Sequence, residues 1–176
     1  MRFPLSAAAL ATAAALVPLG AIAQSPACTH TAGMVVSLTG AAGRFGQAAS
    51  KSVELAFNEL NKAAGAQGIA GCKLAFDLRD AQSQGSVAVD QARQLVDLKK
   101  VPAIIGGIIS SVSIPIVTSV TGPAGVVQIS PASSSPTLTR MAQEGKTNGW
   151  FFAPSPATPC RERPQPGMPW TRGSIT

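Results

Sequence analysis

Residues 33–46 read Gly33-Met34-Val35-Val36-Ser37-Leu38-Thr39-Gly40-Ala41-Ala42-Gly43-Arg44-Phe45-Gly46, and the pattern changes character partway through. The first six residues form a short, apolar, β-branched run closed by Thr39-Gly40, which predicts a buried strand. A glycine-containing loop, 40–46, follows. Beyond it Ala49, Val53, Ala56, Phe57 and Leu60 recur at the helical period, and the glycines from Gly65 to Gly71 end the helix. Strand, glycine loop and helix in that order open a βαβ unit.

The same alternation continues outward. Residues 73–79 place Leu74, Phe76 and Leu78 on one side of a second strand. Ser83 or Ser86 can cap a helix running to Leu98, with Ala88, Ala92, Leu95 and Val96 facing one way. Residues 101–106 are a third strand, apolar throughout their Ala103-Ile104-Ile105 centre, as a strand covered on both faces requires. Residues 110–121 predict a short helix if Pro115 falls in its first turn. Residues 126–129 are the fourth strand, followed by Ser130-Pro131-Ala132-Ser133-Ser134-Ser135. Strands alternating with helices through short connections predict an α/β fold with a doubly wound parallel sheet. Loops 39–46, 80–84, 107–111 and 130–135 then share the carboxyl edge, where such sheets bind ligands.

The flanks are different in kind. Arg2 precedes an apolar run from Leu5 to Leu19, broken by Pro18 and followed by Ala21-Ile22-Ala23, the layout of a secretory signal peptide over 1–23 with a new terminus at Gln24. A soluble, exported protein is expected. In an oxidising compartment Cys28 and Cys72, each just ahead of a predicted strand, can form a disulfide between strand starts; two inert buried thiols are the alternative. Residues 24–152 form the expected lobe. Residues 153–176 include six prolines with Arg161, Arg163 and Arg172 and no apolar period, which reads as a disordered Pro/Arg-rich tail. Residues 153–166 can also be encoded by a GC-rich series that in another frame spells Arg-Thr-Ile-Thr-Ser-Asp-Ala-Leu-Gln-Gly-Thr-Ala-Ala-Ala, a helix start. A frameshifted tail is therefore expected.

The 176 residues are 45% hydrophobic and 12% charged, without tyrosine, which excludes disordered and collagen-like classes. Of the +6 formal charge, residues 24–152 carry only +3, with no basic stripe interleaved with aromatics, so no nucleic-acid partner is expected. No Cys/His cluster has metal-ligand spacing, and no cofactor is expected. Serine catalysis lacks a base: the one histidine, His30, lies in the N-terminal segment, and no G-x-S-x-G elbow exists. Gly40, Gly43 and Gly46, with Asp80 at the end of the next strand, offer a dinucleotide-binding enzyme as the lesser alternative, although the spacing is G-x-x-G-x-x-G. What remains is a serine-rich rim. Ser110 and Ser111 at a helix start, with Ser133 and Ser134 in the loop beside it, present hydroxyls and backbone N–H groups that suit a carboxylate. The competing reading makes them caps and loop fillers.

Five stretches recur together in order: 34–46, the glycines 65–71 before Lys73-Leu74, Arg79-Asp80-Ala81-Gln82-Ser83, residues 102–111 (Pro-Ala-Ile-Ile-Gly-Gly-Ile-Ile-Ser-Ser), and residues 128–139 (Gln-Ile-Ser-Pro-Ala-Ser-Ser-Ser-Pro-Thr-Leu-Thr). Over about 31–152 they resemble the periplasmic substrate-binding proteins of ABC transporters, of the leucine/isoleucine/valine-binding type. The resemblance implies the first lobe of a two-lobed periplasmic binding protein type I fold, with the second lobe missing. It implies capture of a branched-chain amino acid or related small amide or carboxylate, a periplasmic location, and an ABC permease complex as partner of the full-length ancestor, with function impaired by truncation. It assigns the solute α-carboxylate to Ser110, gives Ala132, Ser133 and Ser134 carbonyl, amide and hydroxyl contacts to the carboxylate and ammonium, and places Phe45 over the ligand where many relatives have tyrosine. An extracytoplasmic sensor or interaction module built on the same lobe is the alternative.

Overall fold

A computed structural model describes residues 28–65 and 68–154; the expected signal peptide, the terminus at Gln24 and the tail from residue 155 lie outside the described residues. Five parallel strands, β1 (Cys28–Val36), β2 (Cys72–Asp80), β3 (Ala103–Gly106), β4 (Val127–Ile129) and β5 (Phe151–Phe152), line up in the order β2-β1-β3-β4-β5. The helices are α1 (Gly43–Ala64), α2 (Gly85–Arg93) running into a π turn, α3 (Ser110–Ile116) running through a second π turn into α4 (Gly122–Ala124), and α5 (Pro136–Gln143). The sheet is an α/β doubly wound one. After β2 the chain crosses back over β1, so the strand order reverses between β1 and β3, and it is at the carboxyl ends beside such a reversal that open α/β sheets bind ligands.

β1 begins five residues before the apolar run does. Its polar start, Thr29-His30-Thr31, pairs in register with β2 from Cys28 opposite Cys72 to Val36 opposite Asp80. A disulfide joins that first pair across a Cα separation of 4.6 Å. By closing a segment of 44 residues it contributes about 4 kcal/mol in the chain-entropy account.

One face of the sheet carries the core. Val35 and Ile104 meet Ala88, Ala92 and Leu95 after β2, and Val112, Ile116 and Val120 after β3, all essentially without solvent contact. α2 and α3 touch closely at Gly85, where a Cβ would stand 2.8 Å from the Pro115 ring and 3.0 Å from the Ser111 carbonyl. Pro115 is the sixth residue of α3 rather than part of its first turn. The ring removes the N–H that would have bonded Ser111, and the α2 backbone lies against that carbonyl instead. Neither Ser83 nor Ser86 caps α2: its N-cap is Gln84, and Ser83 is engaged elsewhere.

The opposite face is covered by α1 over β1 and β2, where Phe57 meets Phe76 edge-on at 5.4 Å. The cover is thin. Val53 and Phe57 are half-buried, whereas Ala56 and Leu60 of the expected apolar face are exposed. Leu78, Met34, Ile105, Ile129 and Phe152 stand in register across all five strands on this side. Met34 is fully buried, but Ile129 and Phe152, beyond the reach of α1, are 41% and 54% exposed.

Candidate functional site

The loop after β3 starts at the switch point itself, since the Gly107 N–H donates to the Val35 carbonyl at 2.9 Å. Gly106 and Gly107 cannot be replaced cheaply: a Cβ on Gly106 would fall 2.0 Å from the Val35 carbonyl oxygen, and one on Gly107 1.9 Å from the Ser113 hydroxyl. α3 is then entered through Ile109 in extended conformation, with no side chain capping it. The N–H groups of Val112 and Ser113 close onto the Ile109 carbonyl. Those of Ser110 and Ser111 come before the first intrahelical donor, Val112, and have no backbone partner among the described residues. Ser110 is half-buried and Ser111 exposed.

The loop after β4 comes to meet them. The Ser110 hydroxyl accepts a hydrogen bond from the Ser135 N–H at 3.2 Å, which sets Ser134, half-buried, beside Ser110. Ala132 is exposed on the same loop. Ser133, expected as a solute contact on the same loop, is turned inward. It is 3% exposed, its hydroxyl lies against the Gly107 carbonyl and the Ser113 hydroxyl, and its N–H donates to Ser130. Ser135 caps α5 by accepting from the Thr137 N–H, with Pro136 opening the helix. Between this loop, α5 and β5 lies a cleft of about 200 Å³ lined by Ser134, Ser135, Leu138, Ala142, Phe151 and Ala153.

The loop after β1 is held by Asp80, at the end of β2. One carboxylate oxygen accepts from the N–H groups of Leu38 at 2.8 Å, Thr39 at 3.3 Å and Gln82 at 2.8 Å, and the other accepts from the Thr39 hydroxyl at 2.7 Å. Burial pushes the Asp80 pKa up, but these donors, led by the Thr39 hydroxyl, outweigh it and hold the carboxyl below its ordinary value. Ser83 completes the clasp by donating to the Thr39 carbonyl and accepting from the Ala42 N–H. Gln82 and Ser83 adopt left-handed backbone to do so, and Gly40 lies so close beneath them that a Cβ would meet the Gln82 carbonyl at 2.7 Å. The clasp presents Phe45, in the first turn of α1, at 69% exposure. Asp80 thus accepts four hydrogen bonds from its own chain.

The loops that converge here carry the sequence features of one family. A profile described as periplasmic binding protein matches residues 29–162. The chain belongs to the periplasmic binding protein family. A Leu/Ile/Val-binding protein, BraC3 of Rhizobium johnstonii, is 30% identical over 118 residues, covering 67% of this chain and 30% of that protein. Among solved structures, the branched-chain amino acid transporter substrate-binding protein LivJ of Streptococcus pneumoniae, in complex with isoleucine, superposes with a TM-score of 0.64 at 27% identity. That match covers 73% of this chain and 34% of the other. A Desulfitobacterium hafniense ABC transporter substrate-binding protein in complex with leucine gives 0.57 at 26% identity, over 73% and 35%. The chain therefore spans about a third of the length of the relatives it matches. Those relatives are substrate-binding proteins rather than enzymes, which sets aside the dinucleotide-enzyme alternative. The family is extracytoplasmic, and no helix among the described residues is long and apolar enough to cross a membrane.

Two features of the site were not read from the sequence. Asp80 stands there as a strand-end acid and a motif member, but not as the clasp of the loop after β1. The buried Thr121 hydroxyl donates to buried Gln128 Oε1 at 2.8 Å, a pair whose one sequence signal is a lone glutamine in an otherwise apolar strand.

Proposed function

We propose that this lobe is the carboxylate-holding half of a periplasmic solute-binding component of an ABC importer, taking a branched-chain amino acid or a related small amide or carboxylate. The observation that carries the reading is the bond from the Ser135 N–H to the Ser110 hydroxyl, which brings the start of α3 and Ser134 onto one rim at the switch point. Hydroxyls and unpaired N–H groups at a helix start suit an anion without any cationic side chain. Ala132 adds backbone groups and Phe45 an apolar lid. The permease partner and the importer role follow from kinship with the transporter-binding proteins.

By itself the lobe supplies one wall of a cleft, so a bound solute keeps a side in water, and each 1.4 kcal/mol of missing contact weakens binding about tenfold. The 176-residue chain is expected to bind leucine, isoleucine or valine more weakly than micromolar by calorimetric titration, and Ser110→Ala to weaken it further. Micromolar affinity would contradict the one-wall account; an unchanged titration for Ser110→Ala would contradict the carboxylate assignment.

A second reading, a sensor or interaction module on the same lobe, is favoured by the exposed ends of the apolar row, Ile129 and Phe152. A single sedimenting oligomer of defined size with a cooperative melt would carry it.

A further inference from the structure

The buried hydroxyls behind the rim form a structure that solute contact does not account for. Ser113 on α3 and Ser130 at the end of β4 have no solvent exposure, and Ser133 has 3%. All three converge on one atom, the Gly107 carbonyl oxygen: Ser113 donates to it at 2.7 Å and Ser133 lies at 3.0 Å, with Ser130 also in hydrogen-bond contact. A carbonyl oxygen has two lone pairs, so only two of the three hydroxyls can donate to it fully. The third finds its acceptor in a neighbour, across the 2.6 Å between the Ser113 and Ser133 hydroxyls. Ser130 in turn accepts from the Ser133 N–H at 3.0 Å. The network continues inward, where Gln128 Nε2 donates to the Ser113 carbonyl at 3.3 Å and Thr121 donates to Gln128 Oε1 at 2.8 Å.

We propose that Ser113 is a positioning residue for solute binding: through the Gly107 carbonyl and the hydroxyls of Ser130 and Ser133 it locks the loop after β3 to the loop after β4. This rests on the binding role assigned above to Ser110 and Ser134. Small apolar residues could fill the same space without the cost of burying hydroxyls. What the closed polar ring adds is a single relative position of two loops, because every member is satisfied only in that arrangement. The ring lies directly behind the two residues that face the solute, three positions along α3 from Ser110 and one position before Ser134.

The test uses the full chain, isotope-labelled, as wild type, Ser113→Ala, Ser130→Ala, and a core control, Val120→Ala, which lies away from both loops. Amide exchange at Ser133 and Ser135 is compared with that at Val35 and Ile104, and isoleucine is titrated while the Ser110 and Ser134 amides are followed. Ser113→Ala and Ser130→Ala are expected to speed exchange at Ser133 and Ser135 selectively and to raise the isoleucine concentration for half-maximal shift about tenfold. Val120→Ala lowers the melting temperature but leaves that concentration unchanged. If wild type responds to isoleucine and both serine variants respond identically, the positioning role is overturned while the binding reading stands. If wild type shows no response, the binding reading fails and takes the solute-binding half of the proposal with it, whatever the exchange at Ser133 shows.

Discussion

Asp80 shows how one side chain can set a loop. Its carboxylate replaces backbone partners for three N–H groups and one hydroxyl, and it does so only while ionised. The folded pKa lies below the ordinary value, so the unfolded chain takes up the proton first as pH falls. The contribution is thus complete above the unfolded aspartate pKa of about 3.9 and is lost as pH drops through the folded value. Asp80→Asn is expected to cost about 1 kcal/mol at neutral pH and to flatten the decline of melting temperature below about pH 4; an acid limb identical to wild type would contradict the role. Some of this scale was legible in the sequence. Ser110 and Ser134 were placed by loop position alone, because a parallel sheet gathers its strand-to-helix loops on one edge. Ser133 was not, since a run of three serines gives no sign of which one turns inward; that depends on the Gly107 carbonyl, which no local pattern reveals.

At the scale of elements, α1 depends on one missing side chain. Gly46 lies against β1 so closely that a Cβ would be 1.9 Å from the Ser37 carbonyl oxygen and 2.5 Å from its carbon. Both are backbone atoms, so the helix itself must lift. Gly46→Ala is expected to destabilise by about 3 kcal/mol in chemical denaturation and to loosen the presentation of Phe45, despite the better helix propensity of alanine; a neutral or stabilising outcome would show that α1 is not seated as described. The four longer strands and the three main crossover helices were legible because hydrophobic period and length agree. β5 was not, because two residues carry no period, and its pairing to β4 is set by the Trp150 and Phe152 carbonyls accepting from Gln128 and Ser130. α5 had a readable start in Ser135-Pro136, a cap followed by proline at the first helical position, but its single buried residue, Leu138, gives almost no apolar stripe. The early start of β1 was hidden by Thr29-His30-Thr31, which are held by pairing to β2 rather than by burial.

At the scale of the whole molecule, the two faces of the described sheet are covered unequally. One sheet face is closed by α2 and α3; the other is only thinly covered by α1 over β1 and β2 and left apolar at Ile129 and Phe152. Family kinship and fold were legible because five motifs fall in order on a regular βα alternation. The identity of the solute was not, because the chain spans only about a third of the length of its relatives. The central claim, that the rim between β1, β3 and β4 holds an α-carboxylate, is tested most directly by mapping amide shifts of the 176-residue chain with isoleucine and with 2-methylbutylamine, the same molecule without its carboxylate. Isoleucine should shift the amides of Ser110, Ser111 and Ser134 in a saturable way, and the amine should leave them unmoved. Equal shifts from both compounds, or isoleucine shifts confined to residues away from these loops, would contradict it.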